Sequence, residues 1–404
     1  MRSLLALSLL CSILACGDDA TPSDAAGVDG GGIDGGGDER GSWVTVNEPV
    51  AVFPESAIHE EHLIHDGALF IRYRDMSSER LIRYDNGPFT MVSGEVSPFG
   101  SDLFVFDGEL HMSYLQTIGA GMSRVGMARL RDGAFEVVEP NVIEIGAAGV
   151  PRAFVQGGDA WLLFRSQTRG AFTDAIRLVR YDGESFEPLA EIATDPGFDT
   201  SVVVMEDGDA IYVAFGSTGL PSGDYADPYR IHELEAGMLV ERTTLRTSTS
   251  FIRDEPIAWG GGIFLTERNP DGSDAIVRYA LDGTRRVIAS SMSTHVFGPV
   301  RASNLGPAWV KYYVGSVDNR YSRNQYYDAD RDAVVDLPYR WPDGVSEPGG
   351  TDAEDFLFGA FDLGVEIIVP FELDGAVHMI ANVVDGVGSA GNPYAMYLMR
   401  YDER

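Results

Sequence analysis

The segment LIRYDNGPF at 81–89 returns as LVRYDGESF at 178–186, as IVRYALDGT at 276–284 and, at the carboxyl end, as LMRYDER at 398–404. Each copy is a short apolar run with a charged or turn-forming end, the pattern of a β-strand leaving its sheet. Working outward, each copy follows another apolar run: ALFIRYR from 68, AWLLFRSQ from 160, GIFLTER from 262 and AVHMIANV from 376. Three further runs have the same character, ELHMSYLQ from 109, AIYVAFGS from 210 and PAWVKYYV from 307, and these precede VGMARLRD, YRIHELEA and the divergent QYYDADRD. Fourth strands follow in six of the units: PFTMV, AFEVVE, SFEPLA, MLVERTTL, TRRVIAS and AVVDLP. Asp-Gly and Gly-rich pairs separate the runs, as hairpins require. No long helical period interrupts the series.

Seven four-strand units are therefore expected, the last of them one strand short because the chain stops at Arg404. WVTVNEPVAV at 43–52 precedes the first complete unit and supplies the missing strand if the ends meet. This arrangement resembles a seven-bladed β-propeller with a Velcro-like closure, an all-β fold spanning 43–404. The resemblance is one of architecture, since WD dipeptides, Kelch glycine pairs and sialidase Asp boxes are absent. Six blades is the competing count, because the sixth unit matches poorly and the stretch 340–364 fits no strand. The recurrent Arg-Tyr-Asp reads as structural, with Arg and Tyr covering the sheet edge by their apolar stems.

The 404 residues carry 62 Asp and Glu against 30 Lys and Arg, a formal charge of -32. So acidic a surface repels nucleic-acid phosphates, and no nucleic-acid partner is expected. Both cysteines, Cys11 and Cys16, lie at the start, so the body has no thiol for a disulfide, a metal or a nucleophile.

MRSLLALSLLCSILACGDD opens with Arg2, continues with an apolar run from Leu4 to Ala15 too short to span a bilayer, and ends at Cys16. ILAC resembles the lipobox of bacterial lipoproteins, which implies a signal peptide over 1–15 and lipidation of Cys16 as the mature first residue. The reading is then an exported protein anchored to the cell envelope, the outer membrane in particular, with the membrane as partner through its lipid. Plain secretion is the alternative. Residues 16–42 are rich in Gly and Asp and hold no aromatic, which suits a flexible tether to a propeller over 43–404.

Links between first and second strands are short, whereas those between second and third are long and varied, so any ligand is expected on the long-loop side near the central channel. Arg152, Arg253 and Arg301 each enter an innermost strand there and together are candidates to hold an anion. Sialidases hold a carboxylate with three arginines, and the likeness stops at that. Pairing of each arginine with a nearby acid, such as Asp254 or Glu255, is the competing account. Asp102, Glu255 and Glu267, with Asp75, are candidates for the acid and the nucleophile or base of glycoside cleavage.

His59, His62 and His65 follow neither zincin pattern, and no metal is assigned to them. GVGSAG at 386–391 lacks a following helix and is no dinucleotide site. No cofactor is assigned; calcium at Asp224 and Asp227, or Asp271 and Asp274, lacks EF-hand spacing. The functional expectation is recognition of an extracellular or periplasmic glycan or protein, with a propeller glycoside hydrolase, or sialidase-like enzyme, and an envelope interaction scaffold as alternatives.

Overall fold

A computed structural model describes residues 42–402 except 47–50, 54–57, 75–78, 97–99, 120–121, 139–142, 146, 149–150, 168–173, 194–199, 218–228, 246–250, 253–254, 292–294, 314–321, 339–369, 385–393. The chain is all-β, with seven antiparallel sheets arranged as the blades of a propeller. Blade one is formed by Ile58–His65, Ala68–Arg74, Glu79–Tyr84 and Thr90–Val96, paired in chain order. Blades two to six repeat that order, and from blade one to blade five the first strands of adjacent blades meet one another, which makes the first strand the innermost there.

Blade seven settles the question of closure. Its strands Phe371–Leu373, Ala376–Val384 and Tyr394–Asp402 are completed by Ser42–Thr45 and Ala51–Phe53 from the other end of the chain. The register runs antiparallel from Ser42 opposite Asp402 to Thr45 opposite Met399, and from Ala51 opposite Met396 to Phe53 opposite Tyr394. Val46 N–H donates to the Leu398 carbonyl at 2.9 Å between the two pieces. The expected count of seven and the expected closing strand are both found, and the sixth sheet is complete at Ala333–Pro338. The stretch 340–364 lies outside the described residues.

The core is divided into wedges. The described buried side chains form seven apolar clusters, each shared by two adjacent blades. Alternation along a strand explains this division: Leu69, Ile71 and Tyr73 face blade seven while Ala68 and Phe70 face blade two. In the third blade Leu162 and Phe164 turn one way, Trp161 and Leu163 the other. A strand buried on both faces has no polar side to show, which is why these segments read as unbroken apolar runs rather than alternating ones.

The Arg-Tyr pairs take their place in this packing. Arg83 meets Asp85 at 3.2 Å and lies over the Phe70 ring, while Arg400 donates to Asp402 at 2.8 Å. Arg278 lies over Phe264 and donates to the Gly260 carbonyl at 2.8 Å. Tyr84, Tyr181 and Tyr279 are buried beside them. The hairpins between first and second strands turn on Asp66-Gly67, Asp107-Gly108 and Asp374-Gly375, both residues of each pair having positive φ, the type I′ geometry that matches strand twist.

Polar staples cross the seams between blades. Asp207 accepts from the Gly260 and Gly261 amides at 2.8 and 2.6 Å, joining blades four and five. Asp274, fully buried, accepts from Arg268 and from the Phe297 amide at 3.0 Å each, joining five and six. Asn304 exchanges two hydrogen bonds of 2.7 Å with the backbone of Glu372, joining six and seven. Each staple satisfies a backbone group at a seam that no ladder reaches.

Candidate functional site in the channel

Register places a set of charged side chains at one level. The innermost strands of blades one, two, three and five end their pairing at His65, Phe106, Gln156 and Trp259, and the residue four before each is Glu61, Asp102, Arg152 and Glu255. Four residues of strand are about 13 Å from the short hairpin, which puts the set toward the end where the long links leave. Local irregularities help to aim these groups. A register shift between His59 and Glu61 sets Glu61 opposite Arg72, and Glu255 sits between two strand pieces, Phe251–Ile252 and Ile257–Trp259.

Arg152 is the centre of the group. Its Nη1 donates to Asp102 Oδ1 at 3.1 Å, and its Nη2 lies 3.6 Å from Glu255 Oε2, so one guanidinium of blade three faces acids of blades two and five. Asp102 Oδ2 accepts from the Ala153 amide at 2.8 Å. Ser113 Oγ accepts from the Asp102 amide at 3.1 Å and donates to the Pro151 carbonyl at 3.3 Å, tying the backbone on both sides of that ion pair. Glu61 Oε2 accepts from the Leu103 amide at 2.7 Å and lies 3.5 Å from Arg72 Nε.

Burial, with the Asp102 charge adding to it, pushes the Glu61 carboxyl up to about 8, against the opposing pull of Arg72, the Leu103 amide and Arg152. Glu206, from blade four, is raised in the same way: solvent reaches its side chain, yet the surrounding wall desolvates it and Asp102 adds repulsion. His62 is held neutral by burial down to about 4 and packs tilted against the ring of Phe371 of blade seven, ring centroids 4.6 Å apart.

These two groups impose opposite pH dependences. A carboxyl raised from 4.5 to about 8 keeps its proton in the fold, so its contribution to stability is lost as pH climbs from 4.5 through 8. A histidine lowered from 6.5 to about 4 contributes above 6.5 and is lost as pH falls through that window. Glu61→Gln is therefore expected to gain thermal stability over the parent progressively between pH 5 and about 8. Melting curves of both proteins across that range check it; a difference independent of pH refutes the burial of a protonated Glu61.

Of the candidates drawn from sequence, Asp102, Arg152 and Glu255 come together. Arg152 is paired with acids, as the competing account had it, one of the two being the named Glu255. Arg301 enters blade six by a backbone bridge to Ala308, and Arg253 and Asp75 lie outside the described residues. Glu267 belongs to a separate buried network, accepting from Tyr279 Oη at 2.6 Å and from Arg285 Nη2 at 2.7 Å. Glu61 and Glu206 escaped sequence reading. The signal for Glu61 was its position four residues before the hairpin, shared with Asp102 and Arg152, and the run HEEH disguised it.

Among the described residues no group of three His, Cys, Asp or Glu side chains is arranged to hold a metal. Asp271 accepts from the Ser273 amide at 2.9 Å and Asp274 serves its staple, while Asp224, Asp227 and 386–391 lie outside the described residues. His65 meets Asp66 at 3.5 Å. Among the described residues no helix is long and apolar enough to cross a membrane.

No family model and no curated protein matches the sequence. Solved structures do match. Polysaccharide lyase Uly1 superposes with a TM-score of 0.50 at 9% identity, over 86% of this chain and 90% of that one. The likeness is one of fold. The α-L-arabinanase of Penicillium chrysogenum gives 0.44 at 9% identity over 89% and 98% of the two chains. The acylaminoacyl peptidase of Pyrococcus horikoshii gives 0.45 at 11% identity over 80% of this chain, which spans only 50% of that enzyme.

Proposed function

We propose that the channel takes a glycan and works on it by general acid–base chemistry, with Glu61 as proton donor and Asp102 as the carboxylate partner. The observation that carries this reading is the pairing of two carboxyl groups with unlike surroundings on adjacent blades. Glu61 is desolvated and pushed up to about 8, so it holds a proton at neutral pH, whereas Asp102 has the Arg152 guanidinium as countercharge. Separating two acids by environment is how one site keeps a donor and an acceptor together. Leu103 N–H donates to Oε2 of Glu61 and the Arg72 cation lies nearest that same oxygen, at 3.5 Å, which makes Oε1 the oxygen assigned the proton. A propeller of this kind also serves polysaccharide lyase Uly1, which makes glycans the first class to test.

Binding without cleavage is the second reading. Glu61 and Asp102 reach amides of the next blade just as Asp207 and Asp274 do, and that contact alone accounts for two acids at two seams. Reducing-end release from a panel of neutral and uronic-acid polysaccharides, with calorimetry on the same panel, separates the two. Turnover supports the acid–base site, binding without turnover supports recognition alone, and neither overturns both.

The site would work outside the cell. The apolar start ending at Cys16 supports export and lipid anchoring, with 16–42 as a tether. Cys16→Ser is expected to move the protein from the membrane to the soluble fraction, since each buried acyl methylene contributes about 0.8 kcal/mol to anchoring. Retention of that variant on membranes after fractionation counts against the anchor.

A further inference from the structure

We infer that Arg72 is the positioning residue of Glu61: it fixes which oxygen faces the channel and stands by to receive the charge when the proton leaves. The inference rests on the acid role given to Glu61 above. Arg72 lies on the second strand of blade one, directly opposite Glu61 in register, and its side chain is only 5% exposed. Its Nε is 3.5 Å from Oε2, the same oxygen that takes the Leu103 amide at 2.7 Å. One amide hydrogen bond and the nearest approach of a cation both fall on Oε2, which assigns the reacting role to the other oxygen.

A proton donor has two needs that conflict. It must hold the proton at rest, which burial and the Asp102 charge provide. It must also release that proton, and the carboxylate left behind needs a countercharge that is already in place. The charged groups facing Glu61 are Asp102 of blade two, Arg152 of blade three and Arg72 of its own blade. Arg152 is engaged by Asp102 and Glu255. Arg72 is thus the cation placed to take the departing proton's share of charge, and its burial keeps that interaction unscreened.

The test is a titration of the Glu61 carboxyl by carbon NMR in the purified protein labelled at glutamate, the resonance assigned by its loss in Glu61→Gln. Arg72→Met, which keeps length and removes charge, is expected to raise the Glu61 midpoint by about one pH unit or more, a tenfold weaker acid. The alkaline limb of kcat on any glycan cleaved should move with it. Arg72→Lys should displace the midpoint less. An unmoved midpoint in folded Arg72→Met overturns the inference. If that variant does not fold, Arg72→Lys decides: a raised midpoint supports positioning, and an unchanged midpoint refutes it. The midpoint reads the hold of Arg72 on Glu61 whether or not a glycan is cleaved, so failure of the acid role is seen separately, as missing turnover.

Discussion

Deleting residues 42–53 is expected to lower the melting temperature by roughly 10 °C or more, or to prevent folding outright. The deletion removes two strand pieces whose register with blade seven covers Ser42–Thr45 and Ala51–Phe53. It also removes Val46, which packs on the cluster shared by blades seven and one. At about 1 kcal/mol net for each ladder hydrogen bond, the loss is several kcal/mol, a large part of the 5–15 kcal/mol that ordinary domains possess. A second effect follows from geometry. Tyr394–Asp402 becomes an unpaired edge, which invites pairing between molecules. Thermal unfolding with light scattering would show both, and an unchanged melting point would mean that closure contributes nothing to the ring.

Glu61→Gln is expected to reduce kcat on a cleaved glycan by about 10²–10⁴-fold, the range for loss of a positioned general acid. The amide keeps an acceptor for the Leu103 N–H, which is now held at 2.7 Å, so the blade seam survives and binding should persist. Substrate affinity and turnover should therefore separate, because a group that acts only as the proton moves changes kcat more than binding. In the parent protein the alkaline limb of any pH profile of turnover is expected near 8, where Glu61 gives up its proton, and it should vanish in the variant. Full turnover by Glu61→Gln would refute its role as donor and leave Glu61 as a staple between blades.

How much of this was legible beforehand depended on the period of each signal. The strand pattern and the closing segment rest on apolar runs such as ALFIRYR and AWLLF, whose double-sided burial writes itself into consecutive residues. The Arg-Tyr repeat was legible as structure for the same reason. Arg152 could be named as a candidate because it stands at the entrance to an innermost strand, and Asp102 and Glu255 because they are acids near the same long-loop face. Nothing in the sequence joined them, since Arg152 and Glu255 are over a hundred residues apart and meet only because blade four lies between blades that curve round one channel. Glu267 illustrates the reverse: it entered the candidate set as an acid near a long link, and the fold encloses it with Tyr279 and Arg285.

The sequence by itself determined the strand pattern and the segment able to close the ring, because apolar runs and turn chemistry are local and repeat; the choice of seven blades over six came from the pairing of the sixth sheet and of blade seven. Only the tertiary structure decided which charges share the channel and which acid keeps its proton. Glu61 and Glu187 are the same residue type, yet Glu61 is walled in beside Asp102 and Glu187 pairs with Arg180 at the surface. Desolvation and the distance between charges are properties of three-dimensional neighbours, and for Glu61 those neighbours come from three blades.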